Sequence, residues 1–461
     1  MSAIPVIAIF DVGKTNKKLF LFDENYRIVY ERSARFIETV DEDGDVCENL
    51  ESLRLSVFDS LSEIFRLKEF EVKAVNFSAY GASFVYIGAD GKPLTPLYNY
   101  LKAYPDELSN YLYDNYGGRR EFSIKTASPI LGSLNSGLQL FRLKKERPAL
   151  FQQIKYALHL PQYLSFLVSG EGYSDLTSIG CHTAMWDFTT NNYHQWIKAE
   201  GIEPKLAPIV PATHTFPAVF PGMALKVGVG FHDSSAALIP YLVSFHEPFI
   251  LISTGTWCIS LNPFNNAPLL AEELEKDCLC YLQYSGNPVK ASRLFSGYEH
   301  EQQANRIAAH FNEDVIKFRT IAYDPNVVSK LQKDHLQATE NGEFKTESMF
   351  GSRDLNEFAD DVEAYHQLIL DLVHLQVMST KLVLNNGEVK RIFVDGGFSK
   401  NNIYMNLLAI AFPGIEVFAA SMAQATAMGA ALALHNEWNT KAVPSDIIEL
   451  KYFSSGQTIA I

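Results

Sequence analysis

The stretch that decides the fold is Gly228-Val-Gly-Phe-His-Asp-Ser-Ser-Ala-Ala-Leu-Ile-Pro240. Its glycines allow two backbone segments to approach each other closely. His232 and Asp233 precede a run of small residues that predicts the first turns of a helix, with Asp233 at its N-cap or in its first turn. Backbone N–H groups at a helix start keep a carboxylate ionised at neutral pH. In a groove, such an aspartate suits a general base that takes a proton from a hydroxyl, although an isolated Asp-Ser pair is more often a plain helix cap.

Three Gly-containing turns favour the catalytic interpretation, and the first lies near the start of the chain. Residues 5–10 and 19–22 predict strands on either side of the polar turn Asp11-Val-Gly-Lys-Thr-Asn-Lys-Lys18. Gly13 permits a sharp bend, and successive backbone N–H groups in such a bend form a concave nest for anionic oxygens. Taken alone, this turn with its Lys14 and Thr15 is more often an ordinary solvated hairpin.

The same pattern recurs in the second half of the chain. Residues 247–253 and 258–261 predict strands that flank the turn Thr254-Gly-Thr-Trp257. The repetition indicates two related halves, each beginning with a hairpin that binds phosphate. Two such turns facing each other would hold a polyphosphate between two domains, and we expect Thr256 to bond a terminal phosphate oxygen.

The third turn is Asp395-Gly-Gly-Phe-Ser-Lys-Asn-Asn402, between a predicted strand at residues 390–394 and a predicted helix at residues 403–411. A strand, a Gly pair and a helix start expose backbone to a flat base or a phosphate, although an ordinary turn between a strand and a helix can look the same. Residues 423–433 predict a helix of small residues that can pack very close to its neighbour.

Length and composition limit the function classes. A chain of 461 residues is too long for one core, so we expect two domains, residues 1–243 and 244–461. The net charge of −14 argues against a non-specific grip on nucleic acid or on an acidic membrane. It is compatible with a nucleotide, because local turns bind phosphate inside acidic proteins. The polar residues 325–356 are a candidate lid.

Cysteine usage predicts a reducing compartment. The five cysteines are scattered and odd in number, and Cys278-Leu-Cys280 lacks the second pair of a zinc site. We therefore expect reduced thiols in a cytoplasmic protein. The apolar run at the start of the chain ends early at Asp11 and predicts a strand, not a signal peptide.

A substrate pocket is predicted where the strand at residues 74–77 ends in Ser78-Ala-Tyr-Gly-Ala-Ser83. Loops at strand ends are where α/β folds bind ligands, so Tyr80, Gly81 and Ala82 are candidates for its lining. A buried tyrosine whose hydroxyl is satisfied by the protein is an equally good interpretation of Tyr80.

Together these segments resemble the FGGY family of carbohydrate kinases. The resemblance rests on the ordered set Asp11-Val-Gly-Lys-Thr, Gly230-Phe-His-Asp-Ser-Ser-Ala, Ser253-Thr-Gly-Thr-Trp, Asp395-Gly-Gly-Phe-Ser-Lys-Asn and Ala425-Thr-Ala-Met-Gly-Ala-Ala, which covers essentially the whole chain. It implies an α/β fold with two ribonuclease-H-like domains, as in actin and hexokinase, and a cleft between them. ATP would lie on the second domain and a sugar mainly on the first.

The resemblance also implies roles for single residues. Asp233 would be the catalytic base and Asp11 would help to place Mg²⁺. The acceptor sugar would contact Tyr80, Gly81, Ala82, His232 and Asp233. The phosphates and adenosine of ATP would contact Gly13, Lys14, Thr15, Gly255, Thr256, Gly396, Gly397 and Asn401. The resemblance implies no nucleic-acid or membrane partner and leaves a homodimer open.

Three departures from the family pattern concern the acceptor and the nucleotide. Many relatives carry a Gln-Met-His segment at Tyr80-Gly-Ala82, an Asp-x-Arg pair at Tyr98-Asn-Tyr100 and a glutamate at Gln424. The first two lie where the sugar should bind, so the family does not identify the substrate. The segment at residues 134–144 and the Gly-Thr-Trp turn resemble kinases of L-rhamnulose or L-fuculose most. A xylulose, ribulose or polyol kinase stays an alternative.

Two other classes of function fit the same fold. One is a sugar sensor without catalysis, and some such relatives regulate transcription through an added basic DNA-binding segment. We expect no such segment here, because the first strand starts near Pro5. The other is a filament or scaffold protein of the actin kind. The Asp233 segment and the polar pocket loops disfavour that class. Sugar-dependent release of ADP would distinguish the kinase from both.

Overall fold

The computed structural model describes residues 3–14, 17–34, 37–220, 224–335, 348–384, 388–422 and 424–454, with only the backbone of residues 333–335. Thr15 and residues 336–347 of the predicted lid therefore lie outside the described residues. The described ends of that segment form a helix at Pro325–His335 and short 3₁₀ turns at Met349–Ser352 and Leu355–Glu357.

The strands are β1 (Ile4–Val12), β2 (Lys17–Asp23), β3 (Ile28–Ala34), β4 (Glu38–Val40), β5 (Val46–Glu48), β6 (Phe70–Ala79), β7 (Phe84–Ile87), β8 (Tyr156–His159), β9 (Trp186–Asp187), β10 (Asn192–Tyr193), β11 (Thr215–Pro217), β12 (Lys226–Gly228), β13 (Phe231–His232), β14 (Phe249–Thr254), β15 (Cys258–Asn262), β16 (Cys278–Leu282), β17 (Pro288–Leu294), β18 (Arg391–Gly396), β19 (Glu416–Ser421) and β20 (Glu449–Phe453). The helices are α1 (Leu50–Ile64), α2 (Asp106–Asn115), α3 (Gly118–Thr126), α4 (Ser136–Glu146), α5 (Pro148–Gln153), α6 (Leu160–Ser169), α7 (Leu176–Ile179), α8 (Gln195–Ala199), α9 (Asp233–Ser244), α10 (Ala271–Leu274), α11 (Ser296–Phe311), α12 (Pro325–His335), α13 (Asp361–Val383), α14 (Asn402–Ala411), α15 (Ala425–Leu432) and α16 (His435–Trp438).

The first sheet has the order β11-β12-β6-β1-β2-β3, with β13 beside β6. Strand β1 pairs antiparallel with β2 and parallel with β6. It reads as a continuous apolar run because both of its faces are covered. Ile7 and Ile9 face the core that contains α9 and α15, whereas Val6, Ala8 and Phe10 face the core that contains α1.

The second sheet has the order β16-β17-β15-β14-β18-β19-β20. Its central part repeats the first sheet, because β14 pairs antiparallel with the hairpin partner β15 and parallel with β18, as β1 does with β2 and β6. The long helix α13 covers one face and contributes a row of fully buried residues. This architecture confirms the predicted pair of α/β domains with mixed sheets, and the repeat is visible in both hairpins.

Helices α9 and α15 connect the two halves. One face of α9 packs with α15 on the first sheet through Ala236 and Ile239, and the other face packs on the second sheet through Leu238 and Tyr241. Helix α15 belongs to the second half by sequence, yet its residues pack on the first sheet. The predicted boundary between residues 243 and 244 therefore falls at the end of α9, inside the connection itself.

Two helix starts are defined by the structure. Helix α4 begins at Ser136, because a 3₁₀ turn at Gly132–Leu134 precedes it and Gly132 has a φ of 58°. Asp233 is the first helical residue of α9, which confirms the predicted position in the first turn, and His232 occupies the N-cap position. Among the described residues, each helix is too short or too polar to cross a lipid bilayer.

Gly429 of α15 should be essential for the fold. A methyl group at this position would overlap the carbonyl oxygen of Ala236 on α9, and two packed helix backbones cannot separate without disturbing both sheets. We expect Gly429→Ala to lower the free energy of unfolding by about 1–3 kcal/mol, measured by denaturant unfolding. Gly397→Ala is the matched control, since the nearest atom to its added methyl carbon lies 4.0 Å away and Gly397 has a φ of −62°. Equal stability of the two variants would contradict this prediction.

Candidate functional site

Asp233 lies where the first sheet meets the second. Strand β13 extends parallel to β6, so Asp233 follows directly after the carboxyl end of a strand and begins α9. Its Oδ1 accepts a hydrogen bond of 2.6 Å from the backbone N–H of Ser234. Burial raises the pKa of Asp233 to about 6, because desolvation outweighs this hydrogen bond. The side chain nevertheless keeps 32% of its surface exposed, which leaves the carboxylate within reach of a ligand.

Asp11 lies at the same edge of the first sheet as Asp233, and we call the space beside these two carboxylates the cleft. It lies near the end of β1, beside Ser78 of β6, and its Oδ2 accepts a hydrogen bond of 2.8 Å from the hydroxyl of Thr426 on α15. Burial raises the pKa of Asp11 to about 6, and the negative charge of Asp233 adds to this shift. The structure therefore brings the two predicted carboxylates together, and a residue of the second half orients one of them.

His232 is buried behind Asp233. Its Nε2 lies 3.3 Å from Oδ1 of Asp233 and 3.1 Å from Sγ of Cys181. Burial lowers the pKa of His232 to about 4, so the ring is neutral at pH 7. A methyl carbon at Gly81 would lie 2.7 Å from this ring. A larger residue at position 81 would therefore clash with His232. His232 in turn contacts the carboxylate of Asp233 from the interior of the protein.

Tyr80 and Ala82 are tied to the protein itself. The Tyr80 hydroxyl donates a 2.6 Å hydrogen bond to Oε1 of Glu48, which is the satisfied, buried tyrosine of the alternative interpretation. Ala82 has a φ of 62°, and its carbonyl oxygen accepts a 2.6 Å hydrogen bond from Nε2 of Gln139. These contacts shape the wall of the cleft from within the first domain.

The expected pocket residues Tyr98 and Tyr100 separate. Tyr98 packs in the core of α2–α4, and its hydroxyl donates a 2.5 Å hydrogen bond to Glu42, away from Asp233. Tyr100 packs edge-on against Tyr80, with 5.9 Å between the ring centroids. Burial raises the pKa of Tyr100, and the charge of Asp233 adds to this shift.

Glu48 is a residue that sequence reasoning missed. It ends β5, is buried, and forms a 2.7 Å ion pair with Lys17, which is buried too. Lys14 lies 3.4 Å from the same carboxylate. In the sequence, Glu48 is a lone glutamate directly before Asn49, the N-cap of α1. The hairpin of β4 and β5 that carries it has only three residue pairs, which is too short to be predicted from alternating hydrophobic residues.

In the second domain, Thr254 joins two of the predicted turns. Its carbonyl oxygen accepts a 2.9 Å hydrogen bond from the N–H of Gly397, and its hydroxyl accepts one of 3.0 Å from the N–H of Phe398. A methyl group at Gly396 would overlap the Thr254 carbonyl, and Gly396 has a φ of 91°. Gly396 is therefore required by the backbone, whereas Gly397 is exposed and faces open space.

The remaining predicted contacts of the second domain differ in availability. Gly255 and Thr256 are exposed at the tip of the hairpin between β14 and β15. Both polar atoms of the Asn401 side chain are hydrogen-bonded within the protein. Its Oδ1 accepts from the N–H of Tyr404 at 3.0 Å and caps α14, and its Nδ2 donates to the Tyr365 hydroxyl at 2.9 Å. Gly13 is half-buried in the first turn.

Arg293 lies beside the hairpin tip of the second domain. Its guanidinium pairs with Asp277 at 2.7 Å and lies 5.3 Å from the centre of the Trp257 ring. Burial raises the pKa of Cys181, and the charges of Asp233 and Arg293 also act on it, in opposite directions.

Comparisons with known proteins show the family of the chain. The model described as FGGY family of carbohydrate kinases, N-terminal domain, matches residues 6–238, and that of carbohydrate kinase FGGY, C-terminal domain, matches residues 246–442. The chain is 22% identical to a rhamnulokinase from Halalkalibacterium halodurans over 258 residues, which are 54% of each protein. The chain thus spans about half the length of this curated relative.

Two solved structures share the fold over nearly the whole chain. A carbohydrate kinase from Novosphingobium aromaticivorans superposes with a TM-score of 0.81 and 23% identity, covering 99% of this chain and 95% of the other. A ligand-bound xylulose kinase from Lactobacillus acidophilus superposes with a TM-score of 0.75 and 17% identity, covering 97% and 93%.

Two substitutions should move the pKa of Asp11 in opposite directions. Asp233→Asn removes a negative charge that disfavours ionisation, so the pKa of Asp11 should fall from about 6. Thr426→Val removes the hydrogen bond to the ionised form, so the pKa should rise. NMR titration of ¹³C-labelled aspartate carboxyl groups would measure both. Shifts of the same sign would show that the two carboxylates do not share one cleft.

Proposed function

Because the chain belongs to the FGGY family of carbohydrate kinases, we propose that it transfers the γ-phosphate of ATP to a primary hydroxyl of a small ketose. The observation that carries this proposal is the carboxylate of Asp233, which is held at the start of α9 in the cleft between the sheets. Among the described residues, no lysine or arginine pairs with it, so it can accept a proton.

Asp233 would act as the general base of the transfer. It takes the proton of the acceptor hydroxyl while the hydroxyl oxygen forms a bond to the γ-phosphorus and ADP leaves with the electrons of the broken P–O bond. A pKa near 6 suits this role, because the carboxylate is ionised at neutral pH and is still a better base than an exposed aspartate. Neutral His232 at 3.3 Å supports the carboxylate without cancelling its charge.

Mg²⁺ fits the arrangement of Asp11 and Asp233. The charge of Asp233 adds to the raised pKa of Asp11, and Mg²⁺ is typically bound through one or two carboxylates together with substrate phosphates and water. Among the described residues no group of three or more His, Cys, Asp and Glu side chains could hold a metal. In this proposal, substrate phosphates and water complete the coordination. Bound Mg²⁺ would neutralise charge on the transferred phosphoryl group, with Asp11 as its protein ligand.

The nucleotide seat is proposed at the turns joined by Thr254. Gly397 offers a backbone surface that faces open space, and exposed Thr256 extends from the neighbouring hairpin tip. Flat bases and phosphates approach such side-chain-free backbone closely. Asn401 would act indirectly, by capping α14 and holding the turn that carries Gly397.

L-Rhamnulose and L-fuculose are the acceptors that we favour, with xylulose, ribulose and polyols as alternatives. The match to a rhamnulokinase supports the first choice, and Tyr100 beside Asp233 offers an aromatic face to a compact sugar. A solved xylulose kinase shares the fold of this chain, so a pentulose stays an alternative acceptor.

Replacing Asp233 should abolish transfer and leave the fold intact. Loss of a general base commonly lowers kcat by a factor of about 10² to 10⁴, so Asp233→Asn should show this loss in a coupled ADP assay. The assay panel is L-rhamnulose, L-fuculose, D-xylulose, L-xylulose, D-ribulose and glycerol, with circular dichroism as the folding control. Turnover near that of the unchanged protein would refute the role of Asp233, and sugar binding without any ADP release would favour a sensor.

Two substitutions should separate nucleotide binding from transfer. Gly397→Val adds an isopropyl group at an unstrained position whose nearest neighbour, the Thr254 carbonyl oxygen, lies 4.0 Å from the new Cβ, so it should raise the apparent KM for ATP far more than that for the sugar. Thr256→Val removes an exposed hydroxyl proposed to meet the moving phosphate, so it should lower kcat. Initial rates over a grid of ATP and sugar concentrations would measure both. If both variants changed only the KM for sugar, the two ligands would be assigned to the wrong domains.

A further inference from the structure

We propose that Lys14 binds the acceptor sugar rather than the phosphates of ATP, with the Tyr100 hydroxyl as its companion donor. This inference rests on the proposed kinase function and names the residues that recognise the acceptor. It also revises the expectation that Lys14 faces the phosphates, which its place in a phosphate-binding turn had suggested.

The ammonium group of Lys14 points toward the aromatic wall of the cleft. It lies 5.5 Å from the centroid of the Tyr80 ring and 5.5 Å from that of the Tyr100 ring. Cations at this distance from an aromatic face are attracted by its electrons, so the two rings hold the ammonium in place. The side chain keeps 34% of its surface exposed, so the ammonium remains open to a ligand.

Glu48 positions Lys14 without saturating it. Its Oε2 is engaged by Lys17 at 2.7 Å, and its Oε1 accepts the Tyr80 hydroxyl at 2.6 Å. Lys14 is the most distant of the three partners, at 3.4 Å from Oε1. Because Lys17 already balances the charge of Glu48 and an ammonium has three donors, Lys14 retains hydrogen-bonding capacity for a ligand.

Tyr100 places this group beside the reacting end of the cleft. Its ring packs against Tyr80 with 5.9 Å between the centroids, and Tyr80 precedes Gly81, which lies against the ring of His232 next to Asp233. Burial raises the pKa of Tyr100, and the charges of Asp233 and Glu48 add to this shift. Among the described residues, the Tyr100 hydroxyl makes no hydrogen bond within the protein, whereas the hydroxyls of Tyr80 and Tyr98 both do. The Tyr100 hydroxyl can therefore form a hydrogen bond with a ligand.

The donors at this position suit a neutral, oxygen-rich ligand. The Lys14 ammonium lies 5.5 Å from the centroid of the Tyr100 ring, whose hydroxyl is a second donor, and Glu48 at 3.4 Å already accepts from the ammonium. A carbonyl or hydroxyl oxygen of a ketose can accept from the ammonium and the phenol together. The chemistry therefore points to sugar oxygens near the carbon that carries the reacting hydroxyl.

The test compares three variants of the full-length chain. A hydrogen bond to a charged group contributes about 1.5–3 kcal/mol, so Lys14→Met should raise the sugar KM by about 10- to 100-fold and leave the KM for ATP within about twofold. Tyr100→Phe should raise the sugar KM by about 5- to 10-fold. Tyr98→Phe is the matched control, because its hydroxyl bonds to Glu42 outside the cleft, and it should leave both constants unchanged.

Binding measurements keep this inference separate from the proposed function. Isothermal titration calorimetry without nucleotide, using L-rhamnulose, L-fuculose, D-xylulose and D-ribulose, reports acceptor binding even in the absence of transfer. Weaker sugar binding in Lys14→Met and Tyr100→Phe, but not in Tyr98→Phe, supports the inference. A Lys14→Met effect confined to ATP overturns it, as do equal effects of the two tyrosine variants. Sugar binding by the unchanged protein without any ADP release counts against the proposed function alone.

Discussion

The close packing of α9 against α15 is the contact on which the rest of the site depends. Gly429 allows the two helix backbones to meet at Ala236, and no larger residue fits there. Asp233 begins α9, and Thr426 in the first turn of α15 holds Asp11. The distance between the two acidic side chains is therefore set by helix packing, which is stiffer than the loops around it. An amide of Asn76 on β6 bonds to the Ala430 carbonyl at 2.8 Å and fixes α15 to the first sheet as well.

Burying two carboxylates in one cleft has a cost, which the raised pKa values of Asp11 and Asp233 express. The protein offsets only part of it, through the Thr426 hydroxyl and the N–H of Ser234. Salt bridges to Asp11 and Asp233 would have stabilised the ionised carboxylates. They would also have lowered the pKa values and made both groups weaker bases. A cation or a proton donor beside these carboxylates lowers the free-energy cost of their ionisation. The same raised pKa values therefore favour cation binding and proton transfer.

The strands, the three Gly-containing turns and the Asp233 helix could be predicted from the sequence, because each depends on local pattern and turn chemistry. The side to which a residue points was harder to predict. Tyr98 and Tyr100 are separated by one residue and face different cores, and Gly81 makes room for a histidine while Gly397 faces open space. Glu48 escaped prediction because its partners lie 31 to 34 positions away along the chain. Contacts of this kind exist only after the sheet has formed.

The two halves repeat one sheet arrangement with different side chains around their first turns. In each half a first strand pairs antiparallel with the next strand and parallel with a third, β6 or β18. The described residues beside the two turns then differ. Thr256 follows a turn whose backbone is fixed by Thr254 and left open at Gly397, which suits an anion, whereas Lys14 stands among tyrosines beside Glu48, which suits sugar hydroxyls. Duplication supplies the geometry, and the side chains packed around each copy determine which ligand that copy can bind.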